Sequence, residues 1–177
     1  MNNITTQTIE TDKQASRTTQ KERVLNCDVP VYLYPSAYAQ RHGEIEEYRV
    51  SRQANIACRD AIDQAIRTYY HDNMLNKKAA QSVVEQYGFD RTMYVLAITV
   101  LDKEWDGRTS QSNKNWAKMQ PIFTDHDEMG NERRRAFVVR SHPGLIDLFL
   151  REVRYEKAVS MEKKTLNPTK QKSEKER

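Results

Sequence analysis

Glycine, proline and cysteine are scarce in this chain, whose 177 residues include only 5, 5 and 2 of them. That composition excludes collagen-like, glycine-rich and disulfide-scaffold proteins. The two cysteines, Cys27 and Cys58, form no C-x-x-C pair, and we interpret them as reduced thiols. Charged residues (31%) separate short apolar groups throughout, which favours a helix-rich protein.

Long apolar runs and targeting signals are also missing from the sequence. The most apolar stretch, residues 94–101, is far shorter than the roughly 20 residues that a membrane-spanning helix needs. The first residues contain no apolar core of a signal peptide. We therefore expect a cytoplasmic protein that has no membrane partner.

An excess of positive charge is confined to the ends of the chain. The formal net charge is +4, with six positive and three negative residues in 160–177, and four and three in 1–23. The residues between these segments are therefore neutral in total. A neutral body argues against a domain whose whole face follows a phosphate backbone, so electrostatic recognition is confined to local basic patches and the tail.

The distribution of polar and apolar residues divides the chain into three parts. Residues 1–28, rich in Thr, Gln and Asn, are predicted to be a disordered arm, and the lysine-rich residues 160–177 a disordered basic tail. Residues 29–159 are predicted to form one globular domain with a core of ordinary size.

Helical periodicity dominates the predicted domain. It predicts one short helix over 35–42 and a second short helix that ends at Met119. Longer helices are predicted over 44–70, from Asn76 to Gly88, from Asp90 to about 101 and over 143–158. Residues 29–34, 122–123 and 136–139 are predicted strands, the last two joined as a hairpin. We expect a mainly α, α+β fold: a compact bundle of about five helices with a short N-terminal strand and a C-terminal β-hairpin packed on one side.

Motifs of familiar enzyme chemistry are absent from the sequence. It has no P-loop, G-x-G-x-x-G or G-x-S-x-G motif, and its four histidines are scattered. The acidic residues around His126 lie on the predicted hairpin loop, where consecutive side chains point apart and rarely share one ion. The sequence assigns no cofactor and no metal.

One catalytic arrangement stays open as an alternative. His42, Glu44 and Tyr48 lie at the predicted junction of two helices and supply the residue types that metal-free phosphodiester cleavage uses. However, His42 before Gly43 is equally an ordinary helix C-terminus, where an imidazolium meets the negative end of the helix dipole.

Residues 105–119 form the strongest candidate for a binding surface. They place two tryptophans among cationic and amide side chains, a mixture that stacks on bases, contacts phosphates and anchors protein interfaces. The predicted binding residues here are Trp105, Arg108, Asn113, Lys114, Trp116 and Lys118. The alternative is that both indoles fold back over the edge of the core.

The densest basic run of the body is Arg133, Arg134 and Arg135, with Arg140 close by, and its three consecutive arginines are predicted to belong to the same binding surface. On a strand, the first and third arginines would share one face. The alternative is that acidic residues of the hairpin neutralise all three arginines. The arginines would then serve only to prevent aggregation at the edge of the sheet.

Several separated strings carry a resemblance to a family. They are residues 31–39 (VYLYPSAYA), 42–44 (HGE), 48–51 (YRVS), 55–62 (NIACRDAI), 105–108 (WDGR), 112–114 (SNK) and 116–118 (WAK). Together they resemble an uncharacterised family, domain of unknown function 3849, of accessory proteins on conjugative elements and phages of gram-positive anaerobes. The resemblance implies a setting of mobile DNA, where inhibitors of CRISPR nucleases and restriction enzymes are common, and it brings no catalytic residues.

Three functions from different classes follow as hypotheses. The favoured one is a non-enzymatic, anti-CRISPR-like protein that binds and inhibits a host defence nuclease of the Cas9 type or its guide complex. The alternatives are a small metal-independent, RNase-like enzyme using His42, Glu44 and Tyr48, and a regulatory nucleic-acid-binding protein that relies on the basic tail. The missing catalytic motif disfavours the enzyme, and the neutral body disfavours the regulator. The expected partner is a host defence protein or ribonucleoprotein.

Overall fold

The computed structural model of the protein describes residues 29–123 and 125–166, so the predicted arm (1–28) and residues 167–177 of the predicted tail lie outside the described residues. Within the described part, six α-helices, one 3-10 helix and one two-stranded antiparallel sheet follow one another. The fold is mainly helical, as the sequence predicts, with six helices rather than five. No described helix has both the length and the apolarity to cross a membrane.

The elements are α1 (Ser36–His42), α2 (Ile45–Tyr69), β1 (Tyr70–His71), β2 (Met74–Leu75), α3 (Lys78–Tyr87), α4 (Phe89–Asp102), α5 (Gln111–Lys118), the 3-10 helix (Arg133–Phe137) and α6 (Pro143–Leu166). The predicted helices are confirmed to within a few residues, except at the end of the last one. That helix, α6, continues to Leu166 and so includes the first residues of the predicted tail.

Two glycines end helices as predicted. Gly43 adopts the left-handed backbone conformation (φ +71°) directly after α1, and the next N–H, that of Glu44, donates to the Ala39 carbonyl at 2.8 Å. Gly88 separates α3 from α4. Asp90, predicted to cap α4, instead lies inside its first turn, and Gly88 occupies the cap position.

Helices α2, α3, α4 and α6 enclose one hydrophobic core. On α2 the buried side chains include the small residues Ala54, Cys58 and Ala65, as the helical pattern predicts, which lets neighbouring helices approach closely. Larger buried side chains of α4 and α6 are Val95, Leu96, Ile98, Ile146, Phe149, Leu150 and Val153. Full burial of such a side chain contributes about 1.5–3 kcal/mol, so these helices hold the fold together.

The predicted N-terminal strand is wrong. Residues 29–34 belong to no strand; instead, side chains of the helices bind their backbone. The Ser51 hydroxyl accepts a hydrogen bond from the Tyr32 N–H (2.8 Å), and the buried Arg91 guanidinium donates to the Val29 carbonyl (2.6 Å). Because these backbone groups are satisfied by side chains, the segment does not need a partner strand.

The predicted C-terminal hairpin is also wrong. A single antiparallel bridge joins His126 to Glu132, and the 3-10 helix follows directly. The second predicted strand, 136–139, has no partner strand among the described residues. Its Val139 N–H donates to the hydroxyl of Thr99 on α4 at 3.0 Å. Burial of Phe137 and Val139 is therefore achieved against helices rather than within a sheet.

A small β-hairpin follows α2, at a position where the sequence predicts only the end of a helix. Strands β1 and β2 pair Tyr70 with Leu75 and His71 with Met74. The connecting residues, 72 and 73, have φ values of +52° and +60°. Two consecutive positive φ values are typical of a type I′ turn, whose twist matches that of a hairpin.

Candidate binding site: the Trp105 cleft

Trp105 projects from the turn that follows α4 and keeps 82% of its surface exposed. A tryptophan is normally among the most buried residues of a fold, so such exposure marks a surface with a possible role in recognition. Trp105 lines a cleft of about 480 Å³, which we call the Trp105 cleft. The other lining residues are Arg59, Asp102, Arg135, Ala136, Val138 and Arg140.

The charge of the Trp105 cleft is positive, since three arginines and one aspartate line it. Arg59 is engaged in the wall, where it donates to the Ala136 carbonyl and to the neighbouring Asp60 carboxylate. Arg135 has 69% of its side chain exposed and lies 3.8 Å from Asp102. The Arg140 side chain is exposed and forms no hydrogen bond or ion pair with any residue in 29–123 or 125–166.

The backbone at Arg140 is fixed by Asp63 on α2. The buried Asp63 carboxylate accepts hydrogen bonds from the N–H groups of Arg140 (3.1 Å) and Ser141 (2.9 Å) and from the Ser141 hydroxyl (2.6 Å). Val139, the residue that precedes Arg140, is completely buried. These contacts hold the segment against α2 while the Arg140 side chain lines the cleft.

The turn that carries Trp105 is held by Asp106. This buried carboxylate accepts hydrogen bonds from the Arg108 N–H and Nε (both 2.9 Å) and from its Nη2 (2.7 Å). The Arg108 guanidinium thereby keeps the pKa of Asp106 well below its ordinary value. A further guanidinium nitrogen of Arg108 lies 3.1 Å from Nε2 of His142. Arg108, a predicted binding residue, is therefore engaged within the loop and does not line the cleft.

Asn113 and Trp116 of α5 pack against α6. The buried Asn113 amide donates to Asp147 (2.7 Å) and accepts from the Arg154 guanidinium (2.8 Å). The same guanidinium lies 4.9 Å from the centre of the Trp116 ring, which packs against the hydrophobic core. Trp116 thus lies over the edge of the core, as the alternative for the two indoles states, whereas Asn113 is bound to side chains of α6.

The two predicted lysines of α5 also lie apart from the cleft. Lys118 forms an ion pair with Glu104. Lys114 is partly exposed, and it does not line the Trp105 cleft. Of the six predicted binding residues in 105–119, only Trp105 faces the cleft.

The three consecutive arginines diverge, because a 3-10 helix turns by about 120° per residue. Arg134 donates two hydrogen bonds to Glu132 (2.8 and 3.1 Å) and lowers the pKa of that carboxyl. Arg133 donates to the His126 carbonyl (3.1 Å). Only Arg135 reaches the Trp105 cleft. Neutralisation by acids of the predicted hairpin thus applies to Arg134 and also to Arg133, whose Nε lies 4.0 Å from the Asp125 carboxylate, although the predicted strand does not form.

The alternative catalytic residues have separate partners. Glu44 accepts a hydrogen bond from the Tyr32 hydroxyl (2.6 Å), whereas the Tyr48 hydroxyl donates to Asp125 (2.8 Å). Burial and Asp125 raise the pKa of Tyr48. The exposed His42 ring stacks on Tyr38, with 3.9 Å between ring centres.

That stack continues through Tyr34 to Phe123, so His42 terminates a row of four rings. Glu44 and Tyr48 are thus each already bound to a side chain outside the predicted catalytic set. Within 29–123 and 125–166, no three His, Cys, Asp or Glu residues are grouped so that they could hold a metal ion.

A larger cavity, of about 750 Å³, lies between residues 29–33 and helices α3 and α4. Its two cationic lining residues are already engaged: Arg91 donates to Val29, and Lys157 lies 4.1 Å from the centre of the Phe89 ring. Trp116 lines this cavity and Trp105 does not. We therefore take the Trp105 cleft as the candidate site because of its exposed ring and the exposed side chains of Arg135 and Arg140, rather than because of its volume.

Two arginines of the cleft are not among the predicted binding residues: Arg59, and Arg140, which the sequence associates only with the basic run. Arg140 follows the basic run by five residues, and that proximity is the only local signal. Arg59 comes from the middle of α2, and nothing in the sequence pattern pairs it with the Ala136 carbonyl 77 residues away.

Taken together, these features define a mainly helical protein with one core and one cationic cleft that displays a tryptophan. The chain belongs to the family described as Protein of unknown function (DUF3849), whose model matches residues 31–158. Comparison with curated proteins gives no match, and neither does comparison with solved structures.

Proposed function

We propose that the protein acts by binding a macromolecule at the Trp105 cleft and is an anti-CRISPR-like inhibitor of a Cas9-type nuclease or its guide complex. The observation that carries the binding role is the 82% exposure of Trp105 in a cleft that also holds two available arginines, Arg135 and Arg140. Tryptophan and arginine are the residues that most often dominate binding energy at interfaces. The choice of target rests on the mobile-DNA setting that the resemblance implies.

Binding is favoured over catalysis by the arrangement of the polar groups. Tyr48 and Glu44 are each held by a side chain outside the predicted catalytic set, at 2.8 and 2.6 Å. By contrast, the turn and the segment that carry Trp105 and Arg140 are fixed by buried carboxylates, Asp106 and Asp63. A rigid support for exposed side chains is what a preorganised binding surface requires.

The test is a cleavage assay in which the purified protein is titrated against a loaded Cas9-type nuclease. We expect inhibition that is complete near one molar equivalent. Trp105→Ala should weaken inhibition by about 30-fold or more, as truncation of an interface hot spot does. The matched control is Met129→Ala, which removes an apolar side chain that is 87% exposed and lies outside the cleft.

Equal inhibition by Trp105→Ala and the parent would show that the Trp105 cleft is not the binding surface. Cleaved guide RNA that accumulates beyond one equivalent, and that disappears in His42→Ala, would instead establish the RNase-like alternative.

A further inference from the structure

We infer that the Trp105 cleft accommodates a single-stranded segment of nucleic acid, with one base stacked on Trp105 and the flanking phosphates bound by Arg135 and Arg140. This inference rests on the proposed function, and it identifies the chemistry of the partner as an unpaired strand, such as an exposed part of a guide complex. It assigns separate tasks to the ring and to the two guanidinium groups.

The ring of Trp105 is available for stacking. No aromatic ring or cation of the described part of the chain covers it, and 82% of its surface is exposed. Trp116 offers the internal comparison, because the Arg154 guanidinium lies 4.9 Å from the centre of its ring. Base stacking on an aromatic side chain tolerates any base, since every base has a π face.

The two available guanidinium groups suit phosphates on either side of that base. The Arg140 guanidinium has no partner among the described residues, and Arg135 forms only a long ion pair with Asp102, whose 3.8 Å separation exceeds that of a hydrogen bond. A guanidinium can bind two phosphate oxygens at once, which a lysine cannot do. Arg59 is already bound to Ala136 and Asp60, so it belongs to the wall of the cleft.

A single strand fits these features better than a duplex or a protein surface. In a duplex the bases are stacked on each other, and a base must leave the stack before it can reach a protein ring. A specific protein interface buries about 800 Å² on each side around an apolar centre. Here Trp105 is the only aromatic residue that lines the cleft, and arginines make up three of the seven lining residues.

The experiment uses the full chain with Trp116→Phe, which keeps an aromatic ring beneath Arg154 and leaves Trp105 as the only tryptophan. Its fluorescence is titrated with a seven-nucleotide oligouridylate, with an abasic strand of the same length, and with an RNA duplex. We expect saturable quenching by the oligouridylate, no quenching by the duplex, and binding of the abasic strand that is weaker by about tenfold or more. Anisotropy of a labelled oligouridylate with the unchanged protein gives the same affinity without relying on Trp116→Phe.

The arginines are tested by the salt dependence of this affinity. Arg135→Ala and Arg140→Ala should each weaken binding and reduce the slope of log K against log salt by about 0.7, the value for one phosphate contact of a single strand. The control is Arg49→Ala, which removes an exposed guanidinium of α2 that pairs with Glu46 and lies outside the cleft. It should change neither the affinity nor the slope.

Absence of saturable quenching, equal affinity for the abasic strand, or an equal effect of Arg49→Ala would each overturn the inference. If the oligouridylate does not bind while Trp105→Ala still abolishes nuclease inhibition, the cleft binds protein and the proposed function stands. If Trp105→Ala has no effect in either assay, the inference and the proposed function both fail.

Discussion

Trp105 and Trp116 show how one residue type takes two roles according to its surroundings. Trp116 lies on α5, where a cation of α6 covers its ring and the core lies beneath it. Trp105 lies on a turn whose polar groups are bound by Asp106, and its ring is left in solvent. An exposed indole gains little from folding, because the apolar surface that it could bury remains in water. The proposed function assigns this ring a role in contact with another molecule instead.

Asp106 leads to a prediction about acid stability. Its pKa is lowered chiefly by the hydrogen bonds of the Arg108 side chain, so the folded state prefers the charged carboxylate. A lowered pKa contributes stability above the ordinary value of 3.8, and this contribution is lost as the pH falls from there towards the folded value. We expect the melting temperature of the parent to fall more steeply between pH 5 and pH 3 than that of Asp106→Asn.

The measurement is thermal unfolding followed by circular dichroism at steps of pH. At neutral pH, Asp106→Asn should already melt at a lower temperature, because the amide cannot replace a carboxylate that accepts three hydrogen bonds from Arg108. The pKa values of Asp127 and Glu132 are lowered as well, so part of the pH dependence should remain in the variant. Identical pH profiles for parent and variant would contradict a stabilising role of the Asp106–Arg108 pair.

Among the elements, helices were predicted well and strands were not, for a physical reason. A helix satisfies its own backbone within four residues, so apolar spacing and glycine punctuation suffice to locate α2 and α4. The extended segments satisfy their backbone with side chains that are distant in the sequence: Ser51 for Tyr32, and Thr99 for Val139. β-branched and aromatic residues indicate extension and burial, but they do not indicate which partner binds the backbone.

The same limit applies to the candidate site. Residue type was sufficient to single out Trp105 and Arg135, because exposed tryptophan and clustered arginine are informative in any fold. The inclusion of Arg140 depends on Asp63, which fixes the backbone of that segment from α2. Trp116 does not belong to the site because Arg154, on the last helix, covers its ring. Both are tertiary contacts that local patterns do not contain.

Two glycines, one at the end of α1 and one in the loop between α4 and α5, allow a prediction about backbone conformation. Gly43 terminates α1 with φ +71°, whereas Gly107 lies outside the positive-φ region, and an added Cβ would meet no atom within 4 Å at either position. Alanine is therefore disfavoured at residue 43 by backbone conformation alone. Gly43→Ala should lower the free energy of unfolding by about 1 kcal/mol, whereas Gly107→Ala should leave it unchanged or raise it by about 0.4–1 kcal/mol.

Urea denaturation of the two alanine variants alongside the parent measures both values. Each variant is the control for the other, since the added methyl group is the same and neither is crowded. Equal effects at the two positions would mean that the left-handed cap of α1 does not contribute to stability.

At the scale of the whole molecule, charge is organised locally rather than overall. The residues between 23 and 160 carry no net charge, yet the Trp105 cleft has three arginines against one aspartate. Other cations lie beside acids, as Arg134 does beside Glu132 and Lys118 beside Glu104. A local positive patch on a neutral body attracts an anion to one place, whereas a uniformly basic protein would bind nucleic acid along its whole surface.

One experiment can distinguish binding of nucleic acid by the Trp105 cleft from binding by the basic end of the chain. Deletion of residues 167–177 removes four positive and two negative residues and lowers the formal net charge from +4 to +2, whereas Arg140→Ala lowers it only to +3. If affinity for the oligouridylate followed net charge, the deletion would have the larger effect. Because we assign the phosphate contacts to the cleft, we expect the deletion to leave the salt slope unchanged and Arg140→Ala to reduce it by about 0.7. A slope that falls with the deletion and not with Arg140→Ala would instead favour the regulatory protein that binds nucleic acid through its tail.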